Sequence, residues 1–341
     1  MKSAYLSKIS SPLTISNKVS YETLKRGQVL VKICYTGVCK SQIFEIYGGR
    51  DNQRYIPHML GHEATGVVLD KHKSVKKVKV GDRVILTWLK CDGLQSENPK
   101  YKDKNKIINS GSVTTFNSHS VVSENRLLKL PDNISFKNGV ILGCAFPTGA
   151  GIILNEVKNK NNNKKIAFVG LGGVGVSSLL TALNFDFKEI YAFEKDRKKI
   201  NFIKRNIKTK KKIIFKISNK ENLNIYSNYF DYVIDTSGTT QGIEFGFKIQ
   251  NYKGKLIFAS HPHKNSKIKI DPFELIKGKK IYGSWGGGTN YEKISRMLFK
   301  HFRRIKNFDK IFNQKIYPFS KINSAINDLR FNRVLRPIIK I

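Results

Sequence analysis

Short apolar runs broken by glycine fill the first part of the chain. QVLVKICYTG, ATGVVLD and GDRVILTW carry β-branched residues beside a glycine, and SVTTFNSHSVVSENRLLKL continues the pattern up to Pro131. Runs of this length and composition predict short strands. We therefore predict a mostly β region, of the kind found in a distorted barrel. The polar segment QSENPKYKDKNK, residues 95–106, is predicted to be a surface loop.

The pattern changes after about residue 147. KKIAFVG predicts a buried strand, GGVGVSSLLTALNF a helix that opens on glycines, and EIYAFEKD a second strand; FDYVIDTSG, GKLIFAS and KKIYGSWGGG predict further strands. Alternating strands and helices predict an α/β domain with a parallel sheet. YEKISRMLFKHF and VLRPIIKI then predict a helix and a final strand. The predicted domains are 1–146, β-rich; 147–286, α/β; and 287–341, which returns to the first.

Length and hydropathy indicate a soluble protein of two domains. A chain of 341 residues suits two hydrophobic cores better than one. No run approaches the roughly 18 apolar residues that a membrane span requires. The first residues, MKSAYLSKISSPLTIS, hold no unbroken apolar segment, which argues against a secretory signal. We predict a cytoplasmic protein with no membrane partner.

The formal charge of +37 raises the question of nucleic-acid binding. The lysines are spread along the whole chain and accompany many isoleucines and asparagines, as in NEVKNKNNNKK. A nucleic-acid-binding arm would concentrate them in one place. We predict no specific nucleic-acid partner.

A dinucleotide-binding motif opens the first helix of the α/β domain. Its residues are Gly170, Leu171, Gly172, Gly173, Val174 and Gly175, a G-x-G-x-x-G directly after a strand. In this motif Gly170 permits the tight turn, Gly172 lets the backbone approach a pyrophosphate, and Gly175 allows the helix to pack closely on the strand. The helix N-terminus offers N–H groups to the phosphates.

Glu194 ends the second strand, 19 positions after Gly175 (194 − 175). A carboxylate at this place binds both ribose hydroxyls and repels a 2′-phosphate, which favours NAD. Lys195, Arg197 and Lys198 follow at once, so NADP stays open as the less favoured cofactor.

A candidate metal site begins with the segment MLGHEATG, which sets His62 and Glu63 between two glycines. Small residues let a turn that carries a ligand approach an ion closely. Cys39 and Cys144 are the candidate partners, and two thiolates with one imidazole select zinc over magnesium or calcium. The spacing of the three residues matches no zinc-finger pattern, so a purely structural role for His62 remains an alternative. Of the other cysteines, Cys34 is predicted to be a core thiol and Cys91 to have no role; four scattered cysteines also predict no disulfide framework.

Five segments together resemble one family. GVCKSQ, GHEATGVV, GDRVI, GCAFPTGAG and GLGGVG occur in the order and at roughly the spacing of the zinc-dependent medium-chain alcohol dehydrogenases, along essentially the whole chain. The resemblance implies a GroES-like catalytic domain joined to a Rossmann domain. It also implies hydride transfer between an alcohol and NAD, with an aldehyde or ketone as the substrate of the reverse reaction.

The resemblance assigns roles to individual residues. Cys39, His62 and Cys144 match the catalytic zinc ligands. The remaining matches are Glu63 as the acid beside the metal, Ser41 as the hydroxyl that passes on the alcohol proton, Trp88 and Phe116 in the substrate pocket, Thr148 beside the nicotinamide, and Lys40 and Arg336 at the pyrophosphate.

The chain also departs from the family at three places. Members often carry four close cysteines for a structural zinc, but here Cys91 alone falls near that lobe, so we predict one zinc per chain. Gln42 stands where an acid usually follows the relay residue, which puts its hydrogen bond to His62 in doubt. Phe44 replaces a histidine that ends the proton relay in some members. The proton would then leave through a ribose hydroxyl and water, or through another base.

Several alternatives stay open. The substrate could be a sugar, polyol or cyclitol. Two less favoured hypotheses for the protein itself are a zinc-free NADPH quinone or enone reductase and a non-catalytic basic nucleotide-binding protein. His261 and His263 either lie above the nicotinamide or belong to a solvated loop. The edge strand KKIYGSWGGG predicts a homodimer or homotetramer.

Overall fold

The structure is a computed structural model that describes residues 1–50, 53–158, 160–260, 262–288, 290–312 and 315–341. His261 lies outside the described residues. The chain divides into two units: the first comprises Met1–Cys144, Asn290–Glu292 and Phe312–Ile341, and the second Ala145–Thr289 and Lys293–Ile311. The predicted domain boundaries themselves stay a prediction.

The strands of the described residues form four sheets: three are antiparallel apart from the parallel pair β18–β19, and the fourth is parallel throughout. In chain order they are β1 (Ser3–Leu6), β2 (Thr14–Ser16), β3 (Val19–Tyr21), β4 (Gln28–Gly37), β5 (His58–Met59), β6 (Glu63–Lys71), β7 (Arg83–Thr87), β8 (Tyr101–Asp103), β9 (Lys106–Ile108), β10 (His119–Ser123), β11 (Leu127–Lys129), β12 (Lys165–Val169), β13 (Glu189–Glu194), β14 (Ile214–Ile217), β15 (Phe230–Asp235), β16 (Gln250–Phe258), β17 (Lys280–Gly283), β18 (Ile316–Pro318) and β19 (Ile338–Lys340).

The helices are concentrated in the second unit. In chain order they are α1 (Lys40–Ile46), α2 (Phe136–Gly139), α3 (Ala145–Gly151), α4 (Gly173–Ala182), α5 (Arg197–Asn206), α6 (Lys220–Ile225), α7 (Thr240–Ile249), α8 (Pro272–Ile276), α9 (Tyr291–Arg303), α10 (Phe308–Phe312) and α11 (Ile322–Arg330), with a π-helical turn at Ile152–Glu156 and 3₁₀ turns at Gln53–Tyr55, Glu124–Arg126, Val140–Gly143 and Phe319–Lys321. Within the described residues no single helix has the length and apolar composition to cross a membrane. One bent pair of helical segments, Phe136–Gly143 and Ala145–Glu156, reaches that length and composition only when the two are taken together.

The first unit is built on the long strand β4. It pairs with β6, β10 and β19, all antiparallel, and the sheet runs in the order β11-β7-β6-β4-β19-β18. Aliphatic residues of β4, β6 and β7, among them Val29, Val31 and Leu86, form one core cluster. Cys34 lies where the β4–β6 register shifts, and burial raises the pKa of its thiol.

The predicted surface loop over residues 95–106 is wrong at β8. Tyr101 begins that strand, pairs with β3 and β9, and is fully buried. Its ring packs with Tyr5 and Met59 in a small core, and its hydroxyl accepts a hydrogen bond from the Val121 N–H at 3.1 Å. A buried tyrosine therefore anchors a segment whose other positions are mostly polar.

The second unit contains the predicted parallel sheet, in the order β14-β13-β12-β15-β16-β17. Every neighbouring pair in it is parallel. Helices connect the strands, as a parallel sheet requires, and aromatic residues such as Tyr191, Phe193 and Phe230 fill the core. The mixed sheets of one unit and the parallel sheet of the other confirm the predicted α/β fold class.

Candidate active site

Three side chains that are far apart in sequence meet in the first unit. Cys39 follows β4 and precedes α1, His62 lies between β5 and β6, and Cys144 follows the 3₁₀ turn Val140–Gly143. Their sulfur and nitrogen ligand atoms all lie within 4.8 Å of one another. The His62 Nε2 atom is 3.3 Å from the Cys144 sulfur. The structure thus brings together the three residues that were predicted to bind a metal.

The donor set fits zinc. Tetrahedral zinc with Zn–S near 2.3 Å and Zn–N near 2.0 Å holds its ligand atoms about 3.5–3.8 Å apart, which is compatible with this cluster. A hydrogen bond with Cys144 lowers the pKa of the Cys39 thiol well below its ordinary value, and the same bond raises the pKa of Cys144. A bound dication would displace the thiol protons, because thiolates are the ligands.

Glycines let the segments that carry the ligands approach one another. A Cβ on Gly143 would lie 2.5 Å from the Leu86 carbonyl oxygen and 2.7 Å from the Glu63 Cβ. Gly61 has a φ of +87°, and a Cβ there would meet Phe116 at 2.7 Å. The turn before His62 thus requires a glycine for both its conformation and its space.

Glu63 and Arg336 form a buried pair beside the ligands. Glu63 is fully buried, Arg336 is 6% exposed, and the Arg336 Nη2 atom lies 2.5 Å from a Glu63 carboxylate oxygen. Burial raises the pKa of Glu63, and the Arg336 charge opposes that shift. Burial alone would lower the pKa of Arg336, but the Cys39 and Glu63 charges raise it. The guanidinium that was predicted to reach a pyrophosphate therefore lies against a carboxylate in this structure.

Helix α1 presents three of the predicted residues. The Ser41 hydroxyl oxygen is buried and has no hydrogen-bond partner among the described residues, so it is a polar group with unused capacity. Lys40 is exposed and donates to the Asn332 side-chain oxygen at 2.8 Å. Phe44 is half-buried.

Gln42 contacts His62, which resolves the doubt raised by the sequence. Its amide nitrogen lies 3.0 Å from His62 Nδ1 and 2.9 Å from a Glu45 carboxylate oxygen, while its amide oxygen accepts from the Gly61 N–H. The hydrogen bond to His62 exists, but an amide makes it rather than an acid.

The two residues predicted to line the substrate pocket differ in exposure. Phe116 is fully buried in the cluster that includes Leu6, Leu60 and Ile339. Trp88 is half-buried, and its carbonyl oxygen accepts a hydrogen bond from the Arg126 guanidinium.

Glu124, which the sequence reasoning missed, organises the segment around Trp88. Its carboxylate accepts backbone N–H groups of Lys76 at 2.6 Å, Lys77 at 2.7 Å and Leu94 at 2.8 Å. Burial alone would raise its pKa, but these hydrogen bonds lower it. Cys91 in this segment is buried, and burial raises the pKa of its thiol to about 12. A carboxylate therefore holds the backbone of this segment.

The predicted dinucleotide motif has the local geometry that its glycines imply. Gly170 has a φ of +85°, and a Cβ there would lie 2.7 Å from Ser237. A Cβ on Gly175 would collide with the Gly170 carbonyl oxygen, whereas around Gly172 there is open space to 4 Å. Gly172 caps α4, so Gly173 and Val174 begin the helix with outward N–H groups. The open side of the turn is where a ligand could approach the backbone.

Glu194 lies beside this turn and already has partners. It is 4% exposed; one carboxylate oxygen accepts from the Leu171 N–H and from Lys199 Nζ, both at 2.9 Å, and the other accepts from the Lys195 N–H at 3.0 Å. Burial would raise the pKa of Glu194, but the Lys199 charge and these bonds lower it. Lys195, Arg197 and Lys198, which the sequence suggested, are exposed, whereas the contact is made by Lys199, which no sequence signal indicated.

Two further predicted residues belong to the second unit. Thr148 is 5% exposed in α3. Its carbonyl oxygen is one of the atoms that a Cβ on Gly287 would meet, at 2.9 Å. His263 is exposed.

Comparisons with known proteins agree with the fold. Residues 25–132 match the family described as alcohol dehydrogenase GroES-like domain. The chain is similar to alcohol dehydrogenase class-2 isozyme 2 of Oryctolagus cuniculus, with 24% identity over 377 residues, 99% of this chain and 97% of the relative.

Solved structures show the same fold. An alcohol dehydrogenase zinc-binding domain protein from Burkholderia ambifaria superposes with a TM-score of 0.87 at 21% identity, covering 100% of this chain and 98% of the other. Benzyl alcohol dehydrogenase from Acinetobacter calcoaceticus gives a TM-score of 0.86 at 21% identity, covering 100% and 99%. The whole chain thus has the fold of these dehydrogenases. These matches confirm the resemblance to the zinc-type alcohol dehydrogenases that the sequence motifs predicted, and they support an oxidoreductase.

Proposed function

We propose that the protein is a zinc-dependent oxidoreductase that transfers a hydride between an alcohol, or the corresponding aldehyde or ketone, and NAD. The observation that carries the proposal is the cluster of Cys39, His62 and Cys144, whose ligand atoms lie within 4.8 Å of one another. The zinc would supply Lewis acidity at the substrate oxygen, and NAD would accept the hydride.

The chain's own residues hold the ion and handle the proton. Cys39, His62 and Cys144 would bind one zinc per chain and leave a fourth position open. Ser41, with its buried and unpartnered hydroxyl, would accept the alcohol proton. Glu63, which forms an ion pair with Arg336, would be the acid beside the metal ligands. With Phe44 in place of a histidine, the proton would leave through a ribose hydroxyl and water, or through another base.

The second unit would hold the dinucleotide. The turn at Gly170, Gly172 and Gly175 would take the pyrophosphate, with Gly173 and Val174 offering N–H groups. Glu194 would bind the adenosine ribose, assisted by Lys199, which already contacts it. A buried carboxylate at this place favours NAD over NADP. Lys40, Arg336 and Thr148 stay proposed as further cofactor contacts.

A simple primary or aromatic alcohol is the proposed substrate, because Trp88 and Phe116 are large aromatic residues. The structural likeness to a benzyl alcohol dehydrogenase supports this choice. A sugar, polyol or cyclitol is the alternative, and a screen of both classes with NAD and NADP would separate them.

A second copy of the chain is the proposed partner. Strand β17 lies at the edge of the parallel sheet, and Tyr282 on it and Trp285 after it are 48% and 77% exposed. An exposed edge strand with large apolar residues can pair with its copy. We expect a homodimer or homotetramer in sedimentation equilibrium, and a particle of 38.9 kDa would contradict this.

The central experiment compares wild type with Cys39→Ser and His62→Ala. We expect both variants to lose zinc and turnover while NAD binding, measured by calorimetry, stays within about twofold, because the dinucleotide turn lies in the other unit. Full activity in either variant after treatment with a chelator would refute the proposal. Loss of NAD binding together with zinc would indicate unfolding instead, and circular dichroism controls for it.

A further inference from the structure

The orientation of the Gln42 amide is fixed by two neighbours of opposite kind. Gly61 presents a backbone N–H, which can only donate, to the amide oxygen. Glu45 presents a carboxylate oxygen, which accepts, to the amide nitrogen at 2.9 Å, and its other oxygen is paired with Arg50 at 3.0 Å. An amide is assigned from such a network, and here both neighbours require the same orientation.

This orientation dictates which nitrogen of His62 carries the proton. The Gln42 amide nitrogen points at His62 Nδ1 from 3.0 Å. Since that nitrogen donates, Nδ1 has to accept and carries no hydrogen. The single proton of the neutral ring then lies on Nε2, which faces the Cys144 sulfur at 3.3 Å.

The same nitrogen is the one that faces the other ligand atoms. Zinc bound at Nε2 moves the ring proton to Nδ1, which ordinarily donates to a carboxylate or a carbonyl oxygen. In this chain Nδ1–H would then meet the N–H₂ group of Gln42. Turning the amide over relieves that clash, but it sets the amide oxygen against Glu45 and the amide nitrogen against the Gly61 N–H.

We propose that Gln42 is a positioning residue that holds His62 with its proton on Nε2, so that zinc loading requires the amide to turn over. As a result the ion is bound less tightly than with a carboxylate at this position. The inference rests on the proposed zinc site. Gln42 is 2% exposed, so water cannot readily replace the contacts that the turned amide loses.

The chain offers a variant that reverses this arrangement without changing its net charge. The swap Gln42→Glu/Glu45→Gln places a carboxylate against both the Gly61 N–H and the His62 Nδ1–H, and an amide where the carboxylate was. Glu45→Gln alone is the matched control, because it changes the same helix while Gly61 still fixes the Gln42 amide.

The direct measurement is nitrogen NMR of metal-free protein labelled at histidine, at pH 8, where two-bond couplings identify the protonated ring nitrogen. We expect Nε2–H for His62 in wild type and in Glu45→Gln, and Nδ1–H in the swap. Nδ1–H in wild type would overturn the proposal, and this result requires no variant to fold.

The second measurement is zinc affinity, by competition with a chelator. We expect the swap to bind zinc at least about tenfold more tightly than wild type, since hydrogen bonds to ligand histidines change metal affinity by 10–100-fold. Equal affinities would overturn the inference while leaving the zinc site intact. A wild type that binds zinc no better than Cys39→Ser would overturn the proposed function instead, and the NMR result would still decide the role of Gln42.

Discussion

Asp235 is a buried carboxyl group that should make the stability of the second unit depend on pH. It ends β15 and is fully buried; one oxygen accepts from the Ser237 N–H at 3.3 Å, and the other has no hydrogen-bond partner within the described residues. Burial raises its pKa from 3.8 to about 7. Because the folded chain keeps a proton that the unfolded chain has lost, stability should fall as pH rises from about 4 to 7.

Replacement by asparagine removes this dependence, because the amide keeps the acceptor for Ser237 and cannot ionise. With pKa values of 3.8 unfolded and about 7 folded, the free energy of unfolding of Asp235→Asn relative to wild type should increase by about 2–3 kcal/mol between pH 5 and pH 8. Urea unfolding at the two pH values, followed by circular dichroism, measures the change.

The control is Asp186→Asn, which removes an exposed carboxylate from the same unit. A hydrogen bond to Lys211 lowers the pKa of Asp186, so its replacement should show no gain at the higher pH. If the stability difference between Asp235→Asn and wild type is the same at pH 5 and pH 8, the buried acid is not neutral near pH 7, and the reasoning fails.

Three further predictions concern the two units separately. Glu124→Gln should lower the free energy of unfolding by about 1–3 kcal/mol, because its N–H₂ group would face backbone donors; zinc content should not change, and urea unfolding with metal analysis tests both. Gly172→Ala should fold normally, since there is open space around it, yet weaken NAD binding in calorimetry, whereas Gly175→Ala should also lower the unfolding temperature. Glu194→Ala should weaken NAD binding more than NADP binding, and an unchanged ratio of the two dissociation constants would contradict the assignment.

The sequence predicted the fold correctly where a whole segment repeats one pattern of apolar residues. The strands and glycine-opened helix after residue 147 carry long apolar runs, and the parallel sheet formed where they predicted it. The loop prediction for residues 95–106 failed because the buried ring of Tyr101 fixes a segment whose other residues are mostly polar. Local composition averages over such a residue, whereas tertiary packing depends on it.

The candidate site likewise contains residues that the sequence predicted and residues that it did not. Cys39, His62 and Cys144 were identified because motifs surround each of them. Glu124 and Lys199 were not predicted, because their contacts leave no signature in the sequence. Glu124 binds backbone N–H groups, and Lys199 binds the Glu194 carboxylate. The contact from Gln42 to His62 depends on how α1 lies against the Gly61 turn, which no spacing in the sequence encodes.

The central claim is that two sulfurs and one ring nitrogen of the first unit bind a zinc ion. Zinc K-edge X-ray absorption of the purified protein measures that coordination directly. We predict one zinc per chain with two sulfur ligands near 2.3 Å and nitrogen or oxygen ligands near 2.0–2.1 Å. A chain without zinc, or a zinc ion with no sulfur or with four sulfur ligands, would contradict the account.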